Sequence, residues 1–184
     1  FEESLENIFA ENLVFANFDL GILIQNSSRN ILGNNTVLKN PKGIVISGIS
    51  EENLLHENVV NDSNFGILIG GANNNTIAKN ALSRNAAIGI HLNSSKRNNL
   101  SGNDIYDCPV GILLDNCLDN NISQSHLQNG INGIMLRASS HNDLEENKII
   151  HCKAGINLDQ SSYNRIKSNE LSENVDGIII VKSM

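Results

Sequence analysis

The stretch Asn164-Arg165-Ile166-Lys167-Ser168-Asn169-Glu170-Leu171-Ser172-Glu173-Asn174-Val175-Asp176-Gly177-Ile178-Ile179-Ile180 holds one full unit of a pattern that runs through the whole chain. Three asparagines stand five residues apart, a lone apolar residue sits in each gap, and Gly-Ile-x-Ile closes the unit. Working outward, Gly-Ile-x-Leu/Ile recurs eight times, at Gly21, Gly43, Gly66, Gly89, Gly111, Gly133, Gly155 and Gly177, always 22 or 23 residues apart. The first asparagine keeps step at Asn7, Asn30, Asn53, Asn75, Asn98, Asn120, Asn142 and Asn164. Self-similarity at a fixed period of this size is the signature of a solenoid, in which each unit is one turn.

The apolar residues fall into four rows. The first runs Phe9, Leu32, Leu55, Ile77, Leu100, Ile122, Leu144 and Ile166, and the second Val14, Val37, Val60, Leu82, Ile105, Leu127, Ile149 and Leu171. The other two are the first and third residues after each glycine, and none of these positions is polar. Apolar residues two apart have the strand period. Single apolar residues five apart cannot form a helical stripe, so they read as very short strands separated by bends. The fold expected is all-β: a parallel β-helix of about eight 22–23-residue coils with three short strands each, roughly 38 Å long at the spacing of hydrogen-bonded strands. A leucine-rich repeat has a similar length, but no Leu-x-x-Leu-x-Leu frame and no helical periodicity is present. The asparagines suit bends, since Asn tolerates left-handed backbone, and in register their amides can bond from turn to turn. A second such row is Asn12, Asn35, Asn58, Asn80, Asn103, Ser125, Asn147 and Asn169. The glycine before each Ile fits a positive φ or a close backbone approach.

The repeat Asn-x-Ile-x-x-Asn-x-Ile-x-x-Asn-x-x-Gly-Ile-x-Leu-x-x-Ser-Ser resembles the right-handed β-helices of the carbohydrate-binding and sugar-hydrolase (CASH) and NosD-like, pectin-lyase-like group. The resemblance covers almost the whole chain. It implies a right-handed helix, an extracellular, cell-surface or periplasmic setting, and a polysaccharide as partner. The shared residues are structural, so the resemblance implies a fold more than an activity.

The 184 residues read as one domain spanning 1–184, without linker or composition shift. The chain starts at Phe1, Ser4 already occupies a corner row, and neither end carries a cap, so a piece of a longer solenoid is expected. A net charge of −7 without a basic patch argues against nucleic acid. No segment suited to membrane insertion is present. Cys108 and Cys152 share a bend row two turns apart, about 9–10 Å, too far for a disulfide, and Cys117 lies in a serine corner. All three read as free thiols. His56, His126, His141 and His151 fall in different rows, so no metal site is expected.

Candidate chemistry lies in outward rows. If Ile and Leu of Gly-Ile-x-Leu face inward, the residue after Leu faces outward, giving Gln25, Ser47, Gly70, Asn93, Asp115, Arg137, Asp159 and Val181. Asp115, Arg137 and Asp159 are the candidate catalytic group; His91, Asn93 and Asn157 are candidate binding residues beside them. Two carboxylates two rungs apart, about 9–10 Å, stand at or above the upper end of the inverting-glycosidase range. Calcium on the aspartates, with Arg137 facing a uronate, is the lyase-like alternative. An arginine between carboxylates lowers their pKa values, which suits a charge ladder better than a general acid. The remaining outward row contains Leu23, Val45, Leu68, Leu113, Met135 and Ile179. An apolar outward stripe marks a contact surface, to be covered by the rest of a longer chain or by another copy. The function expected is a non-catalytic β-helical scaffold or binding module, with a polysaccharide hydrolase, lyase or epimerase as the alternative.

Overall fold

The computed structural model describes residues 4–183; residues 1–3, which the sequence assigns to a preceding turn, lie outside them. The described chain winds into coils of three strands. In the coil that starts at Asn98 these are Asn99–Ser101, Asp104–Tyr106 and Val110–Asp115. Equivalent strands of successive coils pair in parallel and build three sheets of eight strands. The register links positions 22 or 23 residues apart, as in Leu82↔Ile105↔Leu127.

All four apolar rows point inward. In the six inner coils every one of these side chains is at most 5% exposed. In the last described coil Ile178 and Ile180 are 47% and 62% exposed.

The repeat glycines answer to space, not to φ: none of those at Gly-Ile-x-Leu/Ile has a positive φ. A Cβ on Gly111 would stand 2.6 Å from Gly133 O and 2.6 Å from Leu127 Cδ2 in the core. The ladder skips this glycine, pairing Val110 with Asn132 and then Ile112 with Ile134. The long strand departs from strict alternation at the glycine: in Lys42–Ser47, Gly43 and Ile44 are both buried, while Lys42 and Val45 are half-buried.

Positive φ is found instead at the corners, on the residue just before each corner side chain. Arg97, Gly102, Asp107 and Asn116 all have φ between 53° and 61°, and they precede Asn98, Asn103, Cys108 and Cys117. Left-handed backbone is costly for a side chain such as Arg, and the corner bonds hold it in place. Asn98 N and Nδ2 both donate to Asn120 Oδ1, at 2.9 and 3.1 Å, and Asn120 does the same to Asn142. The second corner links Asn80 N to Asn103 Oδ1, Asn103 N to Ser125 Oγ and Ser125 N to Asn147 Oδ1. The cysteines are free and buried, as expected. Each thiol takes the place of a corner hydroxyl or amide: Cys117 Sγ donates to Leu92 O and Asp115 O, and Cys117 N to Ser139 Oγ. Burial raises all three thiol pKa values, which keeps them protonated.

Candidate functional site

The third sheet, made of the six-residue strands from Leu20–Gln25 to Asp176–Val181, carries the polar constellation on its outer wall. The register sets Asn93, Asp115, Arg137 and Asp159 side by side on four successive strands. His91 and Asn157 stand in the adjoining row, three strands apart. The structure thus gathers the sequence candidates on one face, but it does not bond them as one group.

Arg137 pairs with Asp115 alone. Its Nε donates to Asp115 Oδ1 at 3.0 Å and its Nη2 donates to Oδ2, while Asn116 Nδ2 adds a third bond to Oδ1 at 3.2 Å. The Asp115 side chain is only 14% exposed. Among the described residues, the Asp159 carboxylate has neither a hydrogen bond nor an ion pair, and it acts on Arg137 through its field. The expected Asp-Arg-Asp ladder is therefore a closed pair and a separate aspartate. The hydrogen bond from Arg137 holds the Asp115 carboxyl below the ordinary carboxylate value; burial opposes this, and the charges of Arg137 and His91 add to it. A depressed folded pKa stabilises the fold above the ordinary value and ceases to do so as pH falls through the folded one. Asp115→Asn should therefore lower stability by about 1 kcal/mol at neutral pH, since Arg137 is half-exposed. The two proteins should converge in strong acid. Thermal unfolding across pH checks this, and a gap that widens as pH falls would contradict it.

His91 is half-buried. Burial pushes its imidazole pKa down, while the charge of Asp115 draws it up and that of Arg137 pushes it down again. Its Nε2 is shielded and has no hydrogen-bond partner among the described residues. Asn157 Nδ2 donates to Asn132 Oδ1 at 3.1 Å. Asn93 is exposed and accepts from Ser94 Oγ at 3.0 Å.

The apolar stripe is uneven in its exposure. Leu23, Val45, Leu68, Met135 and Ile179 are half-buried, and Leu113 is only 6% exposed. They stack one above another in register, with Leu113 between His91 and Met135. Leu113 is therefore part of the packing, not a free contact surface.

The sequence reading missed a third outward row, the residue before each repeat glycine: Leu20, Lys42, Phe65, Ile88, Val110, Asn132, Ala154 and Asp176. These residues are half-buried except Ala154, which is buried, and Asp176, which is exposed; the break in alternation at the glycine had hidden the row. It also passed over Gly70. A cleft of about 280 Å³ opens there on the wall, lined by Lys42, Val45, Ser47, Leu68, His91 and Asn93. A broader, open hollow of about 540 Å³ lies at the third corner around Gly130, which supplies no corner side chain. Charges of alternating sign stack down that corner, as in Lys39, Asp62 and Arg84, where Arg84 holds Asp62 with two bonds of 2.8 and 3.1 Å. The other histidines stay apart: His141 stacks on Tyr163 and His151 pairs with Glu173. Among the described residues, no three His, Cys, Asp or Glu side chains converge to hold a metal. No helix there is long and apolar enough to cross a membrane.

With this geometry established, comparison identifies the class. The chain belongs to the right handed beta helix region family, which matches residues 1–82 and 43–184. Among solved structures it is similar to the A-module of the mannuronan C-5 epimerase AlgE4 of Azotobacter vinelandii, with a TM-score of 0.90 and 15% identity over 98% of this chain and 57% of that one. It is similar also to DFA-IIIase of Arthrobacter chlorophenolicus A6 without its lid, with a TM-score of 0.81 and 12% identity over 90% of this chain and 49% of that one. A third is the periplasmic alginate epimerase AlgG as a T265N T268M double mutant, with a TM-score of 0.76 and 20% identity over 100% of this chain and 51% of that one. At these identities the likeness is one of fold. The chain spans about half the length of these proteins. No curated protein sequence matches it.

Proposed function

We propose that this chain is a β-helical wall that binds a polysaccharide along the outer face of its third sheet and does not itself carry out bond-making or bond-breaking. The observation that carries this reading is the closed Asp115–Arg137 pair. A carboxylate that accepts three hydrogen bonds, two of them from an arginine, is a poor general acid and a poor base. Asp159 stands about two rungs away, too far to act with Asp115 as a nucleophile–acid pair. The face nonetheless suits a sugar chain. Half-buried apolar rows lie beside exposed amides and a charged pair, an arrangement that can take the C–H faces and the hydroxyls of successive rings. The polysaccharide as partner, and an extracellular or periplasmic setting, draw support from neighbours named as epimerases of mannuronan and alginate, one of them periplasmic. The resemblance of the repeat to carbohydrate-binding and sugar-hydrolase β-helices supports the carbohydrate partner as well.

Isothermal titration against alginate, polygalacturonate and a soluble neutral β-glucan tests the proposal, together with mass analysis of each polymer after incubation. Binding to at least one polymer without change in its length or composition is expected. Arg137→Ala should weaken that binding about tenfold, the worth of roughly one charge-assisted bond. Turnover by the wild type that vanishes in Asp115→Asn would show an enzyme, and no binding to any of the three would remove the polysaccharide reading.

One observation favours catalysis: His91, with its lowered pKa, lies close enough to Asp115 and Arg137 to feel both charges. A His91→Gln variant that lost turnover while keeping affinity would establish that reading.

A further inference from the structure

The outer row of the third sheet is filled by side chains on every strand except one. Gly70 lies in register between Ser47 and Asn93, and its missing side chain leaves the cleft of about 280 Å³. Neither φ nor crowding demands a glycine there. Gly70 is not among the positive-φ glycines, and a Cβ built on it meets nothing within 4 Å. It thus differs from the repeat glycines, where a Cβ would strike backbone or core at 2.3–2.8 Å in every coil from Gly21 to Gly133. The fold tolerates a side chain at Gly70, so the open space is not a packing requirement.

The lining has two kinds of surface. Val45 and Leu68, both half-buried, form an apolar floor. Ser47 and Asn93 bring polar side chains to two edges, and Lys42 and His91 stand at the others. The Lys42 ammonium already donates to Asp19 Oδ1 at 3.0 Å, so its charge is answered within the protein and two donors are left over. The shielded Nε2 of His91 makes no bond among the described residues, and burial lowers the ring's pKa, which favours its neutral form. An apolar floor with neutral or already paired polar groups around it fits a hydroxylated ring that lays its C–H face down. It does not select for a free anion. The volume lies just under the range of about 300–1,000 Å³ for small-molecule sites, which suits one ring and not a longer segment.

We infer that the Gly70 cleft seats a single hexopyranose ring of the bound polysaccharide, C–H face on Val45 and Leu68 and hydroxyls toward Ser47 and Asn93, and so fixes the register of the chain on the wall without needing a carboxylate. This rests on the polysaccharide reading above and adds a subsite two strands away from Asp115.

The test is titration of alginate, polygalacturonate and the soluble β-glucan against wild type, Gly70→Leu, Gly70→Ala and Asn93→Ala. Gly70→Leu fills the cleft and should weaken binding at least tenfold for every polymer that the wild type binds, the neutral glucan included. Asn93→Ala should weaken it several-fold. Gly70→Ala puts one methyl into open space and should stay within twofold of wild type. Thermal unfolding of Gly70→Leu should match wild type, which separates a blocked site from a damaged fold. Unchanged affinity in Gly70→Leu, with binding lost in Arg137→Ala, would overturn the cleft and leave the wider binding face standing. A wild type that binds acidic polymers but not the glucan would overturn the neutral-ring assignment. A wild type that binds none of the three would remove both readings.

Discussion

Ile112→Asp should destabilise the protein by more than about 5 kcal/mol, from the lost burial of the isoleucine together with the cost of a carboxylate without a partner in the core. Ile112 has no exposed surface, and it pairs in register with Ile90 and Ile134 in the middle of the stack. No basic side chain is among the core residues, so the new charge would find no counter-ion. In a solenoid each coil contacts only its neighbours, and stability is roughly a sum over adjacent pairs. A break at this coil therefore weakens two interfaces at once. Thermal unfolding followed by circular dichroism should show a midpoint lower by some 10–20 °C, at the usual 2–4 °C per kcal/mol for a chain of this size. A midpoint within about 2 °C of wild type would mean that the first residue after the repeat glycine faces outward, and the inward assignment of that whole row would fall with it.

Much of the fold was legible because stacking makes the sequence redundant. The same apolar position occurs eight times, so one polar exception would have stood out, and none occurs. The corner asparagines were legible for the same reason. The outward side was harder to read. Solvent-facing rows are not held to one residue type, and the strand period misplaces them wherever two successive residues face inward. Lys42, Val110 and Asn132 escaped notice because alternation counted back from Ile44, Ile112 and Ile134 turns them inward, whereas the strand breaks alternation at the intervening glycine and leaves them half-buried. Asp115, Arg137 and Asp159 were correctly placed in one row by the period. That Arg137 would choose Asp115 depends on side-chain rotamers and on Asn116, which no repeat pattern specifies. Leu113 was misjudged for a related reason: an outward residue can be buried by its own neighbours in the stack. Gly70 looked like a gap in a row; only the open space around it gives the gap a meaning.

Asn120→Ala should cost about 3 kcal/mol and lower the midpoint by some 6–12 °C. Its side chain is a junction between coils and is 1% exposed. Oδ1 accepts from Asn98 N at 2.9 Å and from Asn98 Nδ2 at 3.1 Å. Nδ2 donates to Asn142 Oδ1 at 3.0 Å, to Ser95 O at 3.1 Å and to Leu118 O at 3.0 Å. Alanine would orphan the buried backbone N–H of Asn98, whose side-chain amide keeps its bonds to Ala72 O and Lys96 O, and a buried donor without a partner costs about 1–3 kcal/mol by itself. Asn142 Oδ1 keeps the bond from Asn120 N, so the damage falls on the side toward Asn98. The left-handed residues Arg97 and Asp119, which precede the two asparagines, would lose part of what holds them. The second corner supplies a control. There Ser125 takes an asparagine's place, accepting from Asn103 N at 3.2 Å and donating to Ser123 O at 3.1 Å. Asn120→Ser should accordingly recover about half of the loss, because a hydroxyl can meet the Asn98 amide and one carbonyl but cannot span to Asn142. If serine proves as damaging as alanine, the corner is held by the volume of the amide and not by its hydrogen bonds, and the turn-to-turn bonding of the asparagines would be an accompaniment of the fold instead of a cause of it.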